Sequence, residues 1–210
     1  MSVKRLLIAA LVAVTMLAAS ALAQKNELTG IIGRTFVSDQ GVKGVSLANN
    51  NLHFGNGLTF EVNYGHFLLG NTFAHLTFEV PVVVNWDQDL QFDANVIPGN
   101  YRSYFVTPSL RANAFATTGV SPWVSFGGGV GRFSPSSQLE FGGKNPNGGS
   151  TTGVFQMGIG LDVKLWRSLK ARGEVRDFWS GTPSLGVDTG KSRQHNFNVG
   201  GVVVWQFGKR

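Results

Sequence analysis

Four histidines, His53, His66, His75 and His195, are the side chains best suited to proton transfer, and the chain has no cysteine to serve as a thiol nucleophile or soft metal ligand. Acyl hydrolysis at a histidine needs a serine whose proton the imidazole takes and an acid that orients the ring. His75 and Glu79 are four residues apart, on one face of an extended strand but beyond direct pairing reach. Asp87, Asp89 and Asp93 offer carboxylates of the kind Ca²⁺ takes, but without the ligand spacing of a twelve-residue calcium loop, so a solvated acidic loop is expected. The run Gly127-Gly128-Gly129-Val130-Gly131 lacks the Gly-Lys-Ser/Thr that completes a phosphate loop. None of these patterns implies a cofactor, a metal or a catalytic centre.

The more informative charges alternate with apolar residues. Arg34, Glu61, Glu79, Arg111, Arg132, Asp162, Lys170, Arg172, Glu174 and Arg176 are expected to share the inner side of one sheet, four acids against six bases. Glu61 and Glu79 fall on neighbouring segments flanked by Arg34 and Arg111, and Asp162 neighbours the basic face of residues 170–176. Buried charge persists only when paired. The expectation is therefore a salt-bridged plug, and the competing reading is a narrow, cation-repelling pore.

The elements that must position these charges read as strands. Gln194–Phe207 alternates strictly: His195, Phe197, Val199, Gly201, Val203, Trp205 and Phe207 on one face, small or polar residues and valines on the other. Similar period-two patterns cover about 28–37, 58–68, 72–85, 101–115, 123–133, 152–164 and 169–179. Together they make eight segments joined by alternating long and short connections. Ala74, Leu76, Phe78, Val80, Val82 and Val84 form one clean apolar face, and Phe155, Met157, Ile159, Leu161 and Val163 another. Pro81 removes a ladder donor and predicts a local bulge. The glycine-rich 123–133 segment leaves its faces unspecified. Gly142–Ser150, GGKNPNGGS, reads as a flexible solvated loop.

The N-terminus carries Lys4 and Arg5, an apolar run to about Ala19, and Ala21-Leu22-Ala23, a small-x-small cleavage pattern. It reads as a secretory signal over 1–23 followed by one domain over 24–210. Lys4 and Arg5 account for two of the formal charges, so +6 becomes a scattered +4, with no basic stripe for nucleic acid. Trp86, Tyr101, Trp123, Trp166, Trp179 and Trp205 fall near segment ends, where a membrane-interface girdle would sit.

Eight amphipathic strands, short turns at one end and long loops at the other, resemble the small eight-stranded outer-membrane β-barrels of the OmpA/OmpX type. The closing strands of that family carry a glycine, an apolar residue and an aromatic that the assembly machinery reads. Gly200, Val203 and Trp205, with Phe207 behind, match that pattern, and Gly208-Lys209-Arg210 follow where many members end on the aromatic. The resemblance implies an all-β, antiparallel up-and-down transmembrane barrel in the outer membrane, with four external loops. It implies contact with outer-membrane lipids, lipopolysaccharide and the assembly machinery, and a structural or surface-interaction role rather than an enzymatic one. Some barrels of this size do modify lipids. His195-Asn196-Phe197 lacks the serine two residues on that known outer-membrane lipid deacylases place beside their histidine. A third reading, a soluble lipocalin-like barrel, would turn the apolar faces inward.

Overall fold

The alternation is realised as eleven strands in the computed structural model, which describes residues 26–45, 49–71, 73–115 and 118–208. Ala21 and Ala23, the expected cleavage positions, lie outside the described residues. The strands are β1 (Asn26–Phe36), β2 (Gln40–Gly41), β3 (Asn51–Phe54), β4 (Gly57–Gly70), β5 (Ala74–Gln91), β6 (Asn100–Val106), β7 (Ser109–Ala114), β8 (Val120–Pro135), β9 (Ser150–Lys164), β10 (Leu169–Gly181) and β11 (Arg193–Phe207). Every pairing is antiparallel, and β11 pairs both β10 and β1, so the sheet closes on itself. The ring has eight walls, because β6 and β7 are one wall and β2 and β3 form a small hairpin within the first long loop.

That shared wall keeps a single register across its interruption. Val82 faces Val106 and Glu79 faces Ser109 on β5, while Val106 faces Val130 and Ser109 faces Gly127 on β8. Pro108 merely omits a ladder donor. The bulge expected at Pro81 is absent: Asn63↔Pro81 lies within an unbroken register from Thr59↔Asn85 to Phe67↔Thr77. Pro81 accepts a bond from the Thr107 amide at 3.3 Å, and Pro108 accepts one from the Gly128 amide at 3.2 Å. Two prolines at adjacent cross-strand positions thus cost ladder bonds without inserting a residue. The irregularities of β5 fall instead near wall ends, at Leu58/Thr59, Phe67/Leu69 and Asn85/Gln88.

The outer face is apolar over the middle of every wall. Ile32, Val62, Val82, Leu110, Phe126, Ile159, Val175 and Val199 are all exposed there. Inner positions carry Thr29, Glu61, Glu79, Arg111, Ser125, Gln156, Arg172 and Asn198, all buried. This inside-out distribution contradicts a lipocalin-like arrangement.

Two charges expected inside are outside. On β1, Thr29, Ile31 and Thr35 point inward, with the hydroxyls of Thr35 and Thr59 2.6 Å apart, so strict alternation turns Arg34 out with Ile32 and Phe36. On β8, Phe133 is fully buried in the lumen, which turns Arg132 out beside it. Tyr101 and Trp123, expected in an outer girdle, are buried on inner positions, whereas Trp86, Trp166, Trp179 and Trp205 are exposed.

Candidate functional site

Two layers of side chains close the lumen. The layer nearer the short-turn end is ionic, with Arg176 fully buried at its centre. Arg176 Nε donates to Glu174 Oε1 at 2.7 Å and Nη1 donates to Glu79 Oε1 at 2.8 Å, while Glu61 Oε1 lies 3.6 Å from Nε. Arg172 grips Asp162 at two points, Nε to Oδ1 at 2.7 Å and Nη2 to Oδ2 at 3.0 Å, the fork geometry that makes such pairs strong. Arg172 Nη2 also reaches Glu27 Oε1 at 3.1 Å, and Arg111 donates to that same oxygen. Trp123 stands among the guanidinium groups, its indole N–H donating to Asp162 Oδ1 at 3.1 Å. Arg111, Arg172 and Arg176 lie 5.7, 5.2 and 5.2 Å from its ring centroid. Space for that ring comes from Gly160 on the inner face of β9, where a Cβ would overlap it.

Of the ten charges expected in the lumen, the structure brings Glu61, Glu79, Arg111, Asp162, Arg172, Glu174 and Arg176 together in this layer. Lys170 is at its edge, 3.6 Å from Asp162 Oδ2. Arg34 and Arg132 do not join it. Glu27 does, although it was not anticipated; it lies one residue before the expected start of the first segment and on the face opposite Arg34, so the inward facing expected for Arg34 would have turned it out. Five carboxylates thus meet Arg111, Arg172, Arg176 and Lys170. The basic excess on which a cation-repelling pore depended is gone.

The layer toward the long-loop end is aromatic. Phe105 stacks on Phe178 at 5.0 Å, and Phe133 meets the edges of Phe105 and Tyr101 at 5.9 and 5.7 Å. Leu52 and Phe54 from the first long loop, Phe92 and Ile97 from the second, and Leu185 from the fourth join the same apolar core. The loops are tied to one another as well. The Lys43 amide donates to the Asp188 carbonyl at 2.7 Å, and the Phe92 amide donates to the Glu140 carboxylate at 3.0 Å. The loop read as a solvated tether is folded too: the Leu139 amide donates to the Gly143 carbonyl at 3.0 Å, and Asn145 is buried.

A belt of four arginines stands on the outer face at this end, in two pairs on adjacent walls, β1 with β11 and β6 with β8. Arg34 donates to the Asn56 carbonyl at 3.1 Å and Arg132 donates to Thr151 Oγ1 at 3.3 Å. Arg102 lies 4.5 Å above the Trp86 ring, and Arg193 lies 4.9 Å above Trp179. Beside Arg193, His195 Nδ1 is 2.6 Å from Asp177 Oδ2. The imidazole is sandwiched between Trp179 at 6.0 Å and Phe197 at 5.7 Å. Asp177 is only 8% exposed although it belongs to the outer face. A cavity of about 310 Å³ adjoins His195 and is lined also by Ser38, Lys191 and Arg193. This pairing was missed from the sequence, because the residues lie 18 apart and meet only through the β10–β11 register.

The other histidines are accounted for locally. His53 pairs with Asp39 at 2.6 Å, His66 contacts Asn26 Oδ1 at 2.8 Å, and His75 lies against the edge of Phe67. Among the described residues no group of three or more His, Asp or Glu side chains is arranged to hold a metal, and Asp87, Asp89 and Asp93 do not converge. On the closing strand, Gly200 takes an inner position while Val203 and Trp205 face outward, the Trp205 and Phe207 rings 5.1 Å apart.

No family model and no curated protein matches the sequence. Solved structures do match the fold. Ail, the attachment invasion locus protein of Yersinia pestis, solved with the heparin analogue sucrose octasulfate, superposes with a TM-score of 0.51 at 12% identity, covering 88% of this chain and 99% of its own. OprG of Pseudomonas aeruginosa gives 0.51 at 9% identity, covering 89% and 97%. Neisserial surface protein A gives 0.50 at 11%, covering 87% and 96%. The chain has the fold of the small eight-stranded outer-membrane β-barrels. In that setting the short turns and both ends of the sheet face the periplasm and the long loops face outward. The arginines stand toward the long-loop end of the barrel, with the exposed Trp86 and Trp179 rings beside two of them. A cation at the rim of a membrane barrel keeps its charge in the polar zone while its stem lies on apolar surface.

Proposed function

We propose that this outer-membrane barrel is a non-conducting surface protein that engages anionic groups of the outer leaflet and the exterior through its rim and folded loops. The observation that carries this reading is the belt Arg34, Arg102, Arg132 and Arg193, all turned outward at the external end. The two-layered plug supports it by filling the lumen with paired charges and aromatic rings, and apolar side chains from the loops pack onto it. Lipopolysaccharide phosphates are the natural partners of such a belt, since guanidinium groups bind them with two parallel hydrogen bonds. The polysulfated ligand seen with Ail is in keeping with polyanion recognition on this fold. Gly200, Val203, Trp205 and Phe207 serve, in the same reading, as the signal for the assembly machinery.

Reconstituted protein is expected to give no single-channel conductance in planar bilayers. A variant with Arg34, Arg102, Arg132 and Arg193 all changed to Gln is expected to bind lipopolysaccharide about a thousandfold more weakly at low salt, at about 1 kcal/mol per surface cation. It is expected to fold normally. Equal binding by variant and wild type, or a reproducible conductance, would remove this reading.

A second reading rests on the Asp177–His195 pair. The β1–β11 pairing ends at Phe36↔Phe197, and Ser38, two residues beyond it, lines the same cavity as His195. Serine, imidazole and carboxylate are the groups an acyl hydrolase uses. Ser38 Oγ would attack an ester carbonyl as His195 took its proton. Asp177 would hold the resulting imidazolium, and the proton would pass to the departing alkoxide. Water would then cleave the Ser38 ester. Hydrolysis of a medium-chain nitrophenyl ester in micelles, abolished by Ser38→Ala and by His195→Ala, is the result expected. No turnover, or turnover indifferent to both changes, would discard the enzyme.

A further inference from the structure

We propose that the periplasmic mouth of the barrel is a blind binding site for a compact phosphate-type oxyanion. A cavity of about 340 Å³ opens there beneath the ionic layer. Charged side chains in its wall are Arg111, Lys164, Arg167 and Lys170, with the carboxylates Glu27 and Asp162. Those two acids are already engaged. Glu27 accepts from Arg111 and Arg172, and Asp162 accepts from Arg172 at two points and from the Trp123 indole. A cation entering the cavity would find both carboxylates taken and the cationic groups in the majority.

Lys170 lies 3.6 Å from Asp162 Oδ2, but the other cations are not similarly satisfied. Lys164 and Arg167, both exposed at the rim, form no ion pair among the described residues. Arg111 is the more telling case. Its side chain is 1% exposed, it lines the cavity, and its Nη1 has no hydrogen-bond partner among the described residues. Its Nε lies 3.6 Å from Glu79, too far for a hydrogen bond, and its Trp123 contact uses the guanidinium face rather than the N–H groups. A buried donor left open is costly, and in a native fold it marks a place where something else completes the set. A multi-oxygen anion held by Lys164, Arg167 and Lys170 would do so once the Arg111 guanidinium turns its enclosed Nη1 toward the cavity. The plug above makes the site a dead end, so it binds from the periplasm rather than passing cargo.

The same oxyanion chemistry is offered by a soluble phosphate compound and by an inner-leaflet phospholipid headgroup folding over the rim. The test is calorimetric titration of inorganic pyrophosphate into the intact barrel, first in a zwitterionic detergent. A saturable site is expected, weakened at least about tenfold, one charge-assisted contact's worth, by Lys164→Gln with Arg167→Gln. That pair lies outside the ionic layer and leaves folding intact. Lys43→Gln with Lys144→Gln, both exposed in the long loops at the opposite end, is expected to change nothing. Repeating the titration in phosphatidylcholine nanodiscs with and without phosphatidylglycerol separates the sources: competition by the anionic lipid identifies a headgroup, and its absence a soluble anion. No saturable binding at millimolar pyrophosphate, or equal weakening by the two double variants, would overturn the proposal.

Discussion

Replacing Arg176 with Met is expected to destabilise the barrel by about 3–5 kcal/mol, the usual result of removing one partner from a buried ionic group. Arg176 bonds Glu79 and Glu174 at 2.8 and 2.7 Å and stands 3.6 Å from Glu61, all in the interior of the ring. Methionine fills much of the volume but leaves three carboxylates facing one another, with Arg111 3.6 Å from Glu79 as the nearest remaining guanidinium. Among the described residues Glu61 has no cationic partner other than Arg176, so its carboxyl is left beside Glu174 and Glu79. The check is equilibrium urea unfolding in lipid vesicles, alongside the temperature at which the folded band is lost on gels. Arg132→Met is the control: the same exchange on the outer face, where one bond to Thr151 is lost, should stay within about 1 kcal/mol. Equal losses from the two variants would mean that the plug contributes no special stability.

The same contrast shows what the sequence could reveal. On β9 every outward residue from Phe155 to Val163 is large and apolar and every inward one is small or polar, so faces and register were readable at once. On β1 the two faces are nearly matched, Thr-Ile-Gly-Thr against Gly-Ile-Arg-Phe, and the arginine was assigned inward because charge avoids lipid. That rule holds at mid-depth and fails at the rim, where a guanidinium reaches headgroups and water. Arg132 failed for a related reason: glycines at 127–129 and 131 erase the contrast between faces, and only the burial of Phe133 decides it.

The upper lumen was illegible for a different physical reason. Polar-in, apolar-out alternation assumes a hydrated or ionic interior, but Tyr101, Phe105, Phe133 and Phe178 set an apolar cluster among the buried polar side chains of the external half of the lumen. Their partners come from segments read as loops. Leu90, Phe92 and Ile97 were visible as apolar residues among polar ones, a sign that the second loop folds inward. The Asp177–His195 pair and the open Nη1 of Arg111 depend on register and on side-chain packing, which no single strand's pattern contains.

Val80→Arg is expected to cost about 2–4 kcal/mol, the range for an arginine at the bilayer midplane of a barrel, and to impair membrane assembly. Val80 lies midway along the membrane-spanning part of β5, between Phe78 and Val82 on the outer face, and pairs across to Tyr64 on β4. Its neighbours there are apolar or aromatic, so a guanidinium at this depth would have lipid tails and no counter-charge. Arg34 occupies the same face of a neighbouring region of the ring but sits near the external end, with the Asn56 carbonyl as partner. Depth, not residue type, should therefore decide the outcome: Arg34→Leu is expected to be nearly neutral for folding, and Val80→Arg strongly unfavourable. Urea titration in vesicles and the yield of heat-shifting, membrane-inserted protein measure both. If Val80→Arg inserts and unfolds as the wild type does, β5 does not face lipid. The apolar band would then need another partner, and the external position of the arginine belt would lose its physical basis.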